Sequence, residues 1–137
     1  MGVIGVPVEC LDLAYPHVAY AITKVREKQP RCPTPEKVYQ ALLDKTMQLL
    51  LVVQDDQTVK ATAVTEIETD GGNKVCRVVA LHGEDMSEWF DDLVYHVEQF
   101  ARQNDCTHLE LQGRLGWQKM FKQNGFQTEA VIMRREI

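Results

Sequence analysis

Between Met47 and Gln112 the spacing of apolar residues changes period twice, and no other feature of the chain constrains its fold as strongly. Leu49-Leu50-Leu51-Val52-Val53 is an apolar run of strand length, stopped by the turn-forming pair Asp55-Asp56. From Val59 to Thr69 the pattern alternates. Val59, Ala61, Ala63, Thr65 and Ile67 share one face; Lys60, Thr62, Val64 and Glu66 share the other. Asp70-Gly71-Gly72-Asn73 reads as a tight hairpin turn, and valine-rich Val75 to Leu81 as the returning strand. From Asp85 to about Gln103 the period becomes helical, with Trp89, Phe90, Leu93, Val94, Val97 and Ala101 on one stripe. Cys106 to Gln112 then returns to strand texture. Three strands joined by short turns predict an antiparallel meander. A strand, a long helix and a further strand predict a parallel crossover, because a hairpin cannot return a chain in the same direction.

The flanks extend this pattern. Leu13, Ala14, His17, Val18, Ala21, Ile22 and Val25 have helical spacing, and Pro16 places the helix start near itself, in the first turn. After the break Gln29-Pro30-Arg31-Cys32-Pro33, Thr34 is an N-cap and Pro35 an N1 residue for a second helix through Lys45. A short helix is expected from about Leu115 to Gln123, stopped by Asn124-Gly125, with Phe126 to Arg135 as a closing strand. The expected class is α/β (α+β), a single domain over residues 1–137. Its elements run ααβββαβαβ, as a mixed, largely antiparallel twisted sheet with helices on both faces.

Composition narrows the function classes. With 137 residues, 45% apolar and 26% charged, the chain can bury an ordinary core. No stretch has the eighteen or so uninterrupted apolar residues of a membrane span, and Met1 to Val8 lacks the positive region of a signal peptide. A cytoplasmic location without membrane partners is the expectation. A net charge of −5 argues against nucleic-acid binding through bulk electrostatics. Cys10, Cys32, Cys76 and Cys106, with His17, His82, His96 and His108, form no close pairs of the kind zinc sites use, so no metal site is expected.

The order of elements, ending in Gly125-Phe126 after a short helix, resembles the GNAT superfamily of N-acetyltransferases from its second strand onward. The resemblance covers about Met47 to Ile137 and, more loosely, the two N-terminal helices. Gly113-Arg114-Leu115-Gly116-Trp117 and the string Gly83 to Trp89 look like small GNAT-like proteins encoded by tailed bacteriophages. That likeness implies a host-cytoplasmic or virion-associated protein.

The resemblance also implies where a site would lie. In the superfamily the acyl-CoA pyrophosphate rests on backbone N–H groups of a Q/R-x-x-G-x-G/A loop before the long helix, where glycines and the helix dipole favour an anion. Here Leu81-His82-Gly83-Glu84-Asp85-Met86-Ser87-Glu88 has one glycine, no Gln or Arg, and three acids, joined by Asp91 and Asp92. Acids suit a helix N-terminus by themselves, but they repel a phosphate. Glu84, Glu88 and Asp91 or Asp92 could instead share a face that holds a divalent cation; the plainer alternative is a solvated helix start.

The superfamily's acid, a tyrosine four residues before the Gly of Gly-Phe, falls on Phe121, which has no proton to give; losing such an acid slows proton transfer by about 10²–10⁴-fold. Glu66, Glu68 and Glu110 lie on strands, and nothing in the sequence selects one as a base. Arg114 stands where the family often has Asn; it either binds an anion or pairs with Glu84 or Asp85. Candidate cofactor-binding residues are therefore His82, Gly83, Gly113 and Arg114, with no catalytic residue assigned. The expected function is a phage-encoded binding or structural accessory module that has lost acyl transfer and takes a phage or host protein as partner, needing no cofactor and free to form oligomers. The alternative is an active N-acetyltransferase with an atypical acetyl-CoA site.

Overall fold

The computed structural model describes residues 1–113 and 115–137. Its elements are β1 (Gly2–Gly5), α1 (Leu11–Lys28), α2 (Pro35–Leu43), β2 (Met47–Val53), β3 (Val59–Asp70), β4 (Asn73–Gly83), α3 (Phe90–Gln103), β5 (His108–Leu111) and α4 (Gln118–Gln123). One five-stranded sheet runs β1-β2-β3-β4-β5. The first three junctions are antiparallel and β4–β5 is parallel, as the change of period requires. The expected mixed α/β class holds; the differences lie at the two ends and at two bulges.

Alternation along the strands divides the core. On one face Val18, Ile22, Val38 and Leu42 of α1 and α2 cover Leu49, Leu51, Val64 and Ala80. On the other, Phe90, Leu93 and Val97 of α3 cover Ala61, Ala63, Cys76 and Val78. At about 25 cal/mol per Å² of apolar surface removed from water, these two layers hold the helices to the sheet.

Helix α1 begins five residues before Pro16, not at it. Leu11 and Ala14 are buried in the same layer as Val18, and that burial carries a turn across a residue with no amide donor. Helix α2 starts as expected, with the Lys37 amide donating to Thr34 Oγ1 at 3.3 Å.

Two one-residue irregularities shift faces. Opposite Val52 and Val53, β3 contributes Ala61 and then Val59, so Lys60 is the extra residue. Val59 consequently packs with the α1–α2 layer rather than with Ala61, correcting the strict alternation. Opposite Val64 and Thr65, β4 contributes Ala80 and then Val78, so Val79 is the extra residue there. The β3–β4 hairpin closes through Gly71 (φ 57°) and Gly72 (φ 87°), the two positive-φ positions of a type I′ loop.

β1 has no counterpart in the sequence reading. Val3 and Ile4 pair with Val52 and Leu51, and an N-terminal tetrapeptide bounded by glycine and proline has too few residues to display a period. The closing strand at Phe126 to Arg135 is absent: residues 127–137 are exposed and carry no sheet ladder. A strand needs a partner for its N–H and C=O groups as well as an alternating pattern. Here the chain runs back beside α4 instead, where Gln118 Nε2 donates to Thr128 Oγ1 at 2.9 Å.

Candidate functional site

β5 ends at Leu111, paired with Val78, while β4 continues to Gly83, so the end of β4 is left open on that side. Three parts meet around this opening: the end of β4, the turn into α3 and, beyond β5, Gly113 with Trp117 and α4.

The turn into α3 follows from its own residues. Gly83 ends β4 where an added Cβ would lie 2.5 Å from Ala61 Cβ, 2.8 Å from the Lys60 carbonyl oxygen and 2.8 Å from Trp89 Cζ2. Glycine is needed there to seat the Trp89 indole, which is 1% exposed and donates from Nε1 to the Glu84 carbonyl at 2.6 Å. Asp85 takes the left-handed conformation (φ 53°, ψ 50°), which short polar side chains tolerate better than most. The amides of Glu84, Glu88 and Trp89 donate to the carbonyls of Lys60, Asp85 and Met86 at 3.3, 2.9 and 3.2 Å.

The first ties the turn to β3 and the other two close it on itself. Around it stand Glu84, Asp85, Glu88, Asp91 and Asp92, all partly or fully exposed. Lys60 Nζ, carried outward by its bulge, lies 2.7 Å from Asp85 Oδ2 and 4.0 Å from Glu88 Oε2. The hydrogen bond that Lys60 donates to Asp85 raises the Lys60 pKa above its ordinary value; desolvation opposes this and the charges of Asp85, Glu88 and Glu84 reinforce it. Among the described residues no group of His, Cys, Asp and Glu is arranged to hold a metal ion.

On the far side of the opening Gly113 also accommodates aromatic rings. A Cβ there would stand 2.9 Å from Phe121 Cε2 and 3.2 Å from Trp117 Cε3. Phe121, 9% exposed, stacks on Phe90 at 5.3 Å between centroids, with Trp117 at 6.0 Å and Phe126 at 6.2 Å. At the position where the resemblance requires an acid the structure has an apolar ring inside an aromatic cluster. The void left between α3 and β5 beside Phe126 is about 10 Å³, room for no more than one water.

His82 lies on the opposite face of the sheet, edge-on to the Tyr20 ring at 5.5 Å. With Lys24, Lys28, Gln29, Leu81 and Trp117 it borders an open groove of about 120 Å³. Of the four candidates, then, His82 reaches a groove, Gly83 and Gly113 sit against aromatic rings, and Arg114 lies outside the described residues.

Sequence reasoning missed a charge network on the α1–α2 face. Arg77 of β4 holds Glu110 of β5 (Nε to Oε1, 2.8 Å) and Glu66 of β3 (Nη1 to Oε1, 3.2 Å), and it also pairs with Glu68. Burial works against the guanidinium charge, but the Glu110 hydrogen bond and the three carboxylates outweigh it, so the Arg77 pKa is raised. The signal was available: counting back from the Asp70–Asn73 turn puts Glu66 opposite Arg77. The network engages all three strand glutamates, so none of them stands free as a base.

No family model matches the chain, and no curated protein matches it. Solved structures do. A probable acetyltransferase superposes with a TM-score of 0.73 at 17% identity, over 100% of this chain and 97% of that one. A ribosomal-protein-alanine N-acetyltransferase from Brucella melitensis biovar Abortus 2308 gives 0.70 at 12% identity, over 98% and 100%. An aminoglycoside 6'-N-acetyltransferase from Acinetobacter baumannii gives 0.67 at 18% identity, over 99% and 98%. The fold of this chain is the one seen in GNAT acetyltransferases.

Proposed function

We propose that this protein is a binding or structural accessory module on a GNAT fold, without acyl transfer from acetyl-CoA. One observation carries the reading: the turn into α3 commits the Glu84 amide to Lys60 of β3 and the amides of Glu88 and Trp89 to its own carbonyls, and it surrounds itself with acids. A pyrophosphate needs those donors unspent and a positive potential, and a helix N-terminus already flanked by carboxylates offers neither. Phe121, enclosed by Phe90, Trp117 and Phe126, adds support because no hydroxyl is present to protonate a departing thiolate. The partner is then a protein, of a phage or its host if the Gly113-to-Trp117 string reflects origin.

The alternative, an active N-acetyltransferase, draws on the groove beside His82, where Lys24 and Lys28 could meet the phosphates of a donor that enters from the α1 side. Isothermal titration with acetyl-CoA separates the two, using wild type and Arg114→Ala. The module reading expects no heat at millimolar ligand. Micromolar binding overturns it, and loss of that binding in Arg114→Ala would make Arg114 the phosphate anchor.

A further inference from the structure

The outward face of α1 carries more apolar surface than a solvated helix needs. Its buried side chains, Leu11, Ala14, Val18, Ile22 and Val25, pack toward the sheet. On the side away from them Leu13, Pro16, His17, Tyr20 and Lys24 follow one another at helical spacing and are wholly or partly exposed. The short turn Val8–Cys10 in front of the helix adds exposed Glu9, four residues before Leu13. Leu13 is 82% and Tyr20 60% accessible, the two highest values for large apolar side chains in the helices and strands described. One exposed leucine needs no explanation, but a leucine, a proline and a tyrosine on one stripe make a patch.

The stripe is also self-complementary. Leu13 and Tyr20 lie at equal distances along the chain from the point between Pro16 and His17, and so do Glu9 and Lys24. A twofold axis through that point, perpendicular to the helix, lays Leu13 of one copy on Tyr20 of the other, Pro16 on His17, and Glu9 on Lys24. Parallel pairing would set Glu9 against Glu9 and Lys24 against Lys24, so the order of charges selects the antiparallel arrangement. Lys24 Nζ already stands beside the patch, 5.7 Å from the Tyr20 ring centroid. Its 3.6 Å contact with Glu27 is an exposed pair that can be given up at little cost.

We propose that two copies of this chain associate through α1, antiparallel about a twofold axis beside Pro16 and His17. Leu13 and Tyr20 supply the apolar contacts, and two Glu9–Lys24 pairs close the ends. The contact is one helix wide, which places the dimer in the weak, concentration-dependent class. The inference does not depend on whether acetyl-CoA binds.

Sedimentation equilibrium over a micromolar-to-millimolar concentration series tests it. Wild type is expected to move from 15.7 kDa toward twice that mass. Leu13→Glu should stay monomeric with an unchanged circular-dichroism spectrum, because the side chain it replaces lies outside the core. Glu9→Lys alone should weaken association about tenfold by setting like charges at both ends, and combining it with Lys24→Glu should restore the wild-type level. A wild type that stays monomeric at the highest concentration overturns the proposal. So does a dimer that Leu13→Glu leaves intact, or a double variant that associates no better than Glu9→Lys alone.

Discussion

Lys60 Nζ lies 2.7 Å from Asp85 Oδ2, so the bulged residue of β3 is tied to the left-handed residue that opens the turn into α3. The pair has a pH signature. The Asp85 hydrogen bond raises the Lys60 pKa above the ordinary 10.5. The contribution is therefore complete below 10.5 and is lost as pH rises through the higher value of the folded state. Urea melts on either side of that window should show wild type losing more stability than Lys60→Met, in which only the background of other tyrosines, cysteines and lysines titrates. An equal decline in the two proteins would remove Lys60 from the account of this turn.

Gly83→Ala should be costly for its size. The new methyl group meets a core side chain, a backbone carbonyl and the Trp89 ring, all within 2.8 Å, and two of the three cannot swing away. Overpacking of this kind destabilises by about 1–3 kcal/mol, read as a lower urea midpoint at unchanged slope. A midpoint within error of wild type would mean that the turn and the indole move together more freely than the geometry implies.

Arg77→Met should destabilise by about 1–3 kcal/mol, the partial exposure of the network keeping it below the cost of breaking a fully buried pair. Much of that loss comes from leaving Glu66, Glu68 and Glu110 without their counter-charge. Adding Glu66→Gln to Arg77→Met should thus recover part of it. A double-mutant cycle with no coupling between the two sites falsifies the network as an energetic unit.

Thiol reactivity should rank by burial. Burial first, and the neighbouring Cys106 second, push the Cys76 thiol up to about 12, so it holds almost no thiolate at neutral pH. Burial also raises the Cys32 thiol, partly offset by Arg26. Pulse alkylation followed by mass spectrometry is expected to label exposed Cys10 first, and Cys76 only when the protein unfolds. Labelling of Cys76 on the timescale of Cys10 would show that β4 opens in the native state.

The middle of the fold was legible because each element there announces its period over many residues. The stripe on α3 and the Asp70–Asn73 turn led to the right helix, hairpin and crossover. The ends were not. β1 has four residues and takes its identity from β2, and Pro16 sits inside α1 because Leu11 and Ala14 are buried, which spacing alone does not reveal. Residues 126–135 have a strand's alternation and no ladder, since pattern describes faces and not partners. At the site, the acids before α3 and the ring of Phe121 could be read directly. Lys60 could not, because its reach to Asp85 depends on a bulge that nothing in an alternating strand marks.

The extra residue at Val79 has a consequence for how this protein can vary. Cys76 and Val78 point to α3 before it, while Ala80 points to α1 and Leu81 to α3 after it. Deleting Val79 would merely straighten the strand, since Val78, Ala80 and Leu81 keep their faces and partners without it. Adding a residue between Val79 and Ala80 would instead invert the end of β4, trading Leu81 for Ala80 under α3 and displacing Gly83 from the seat of Trp89. Side-chain changes that keep size and polarity should pass in this strand, whereas an added residue should not. Insertions in relatives would then gather in the turns, and the stretch from Ala80 to Gly83 would keep its length even where little of its spelling survives.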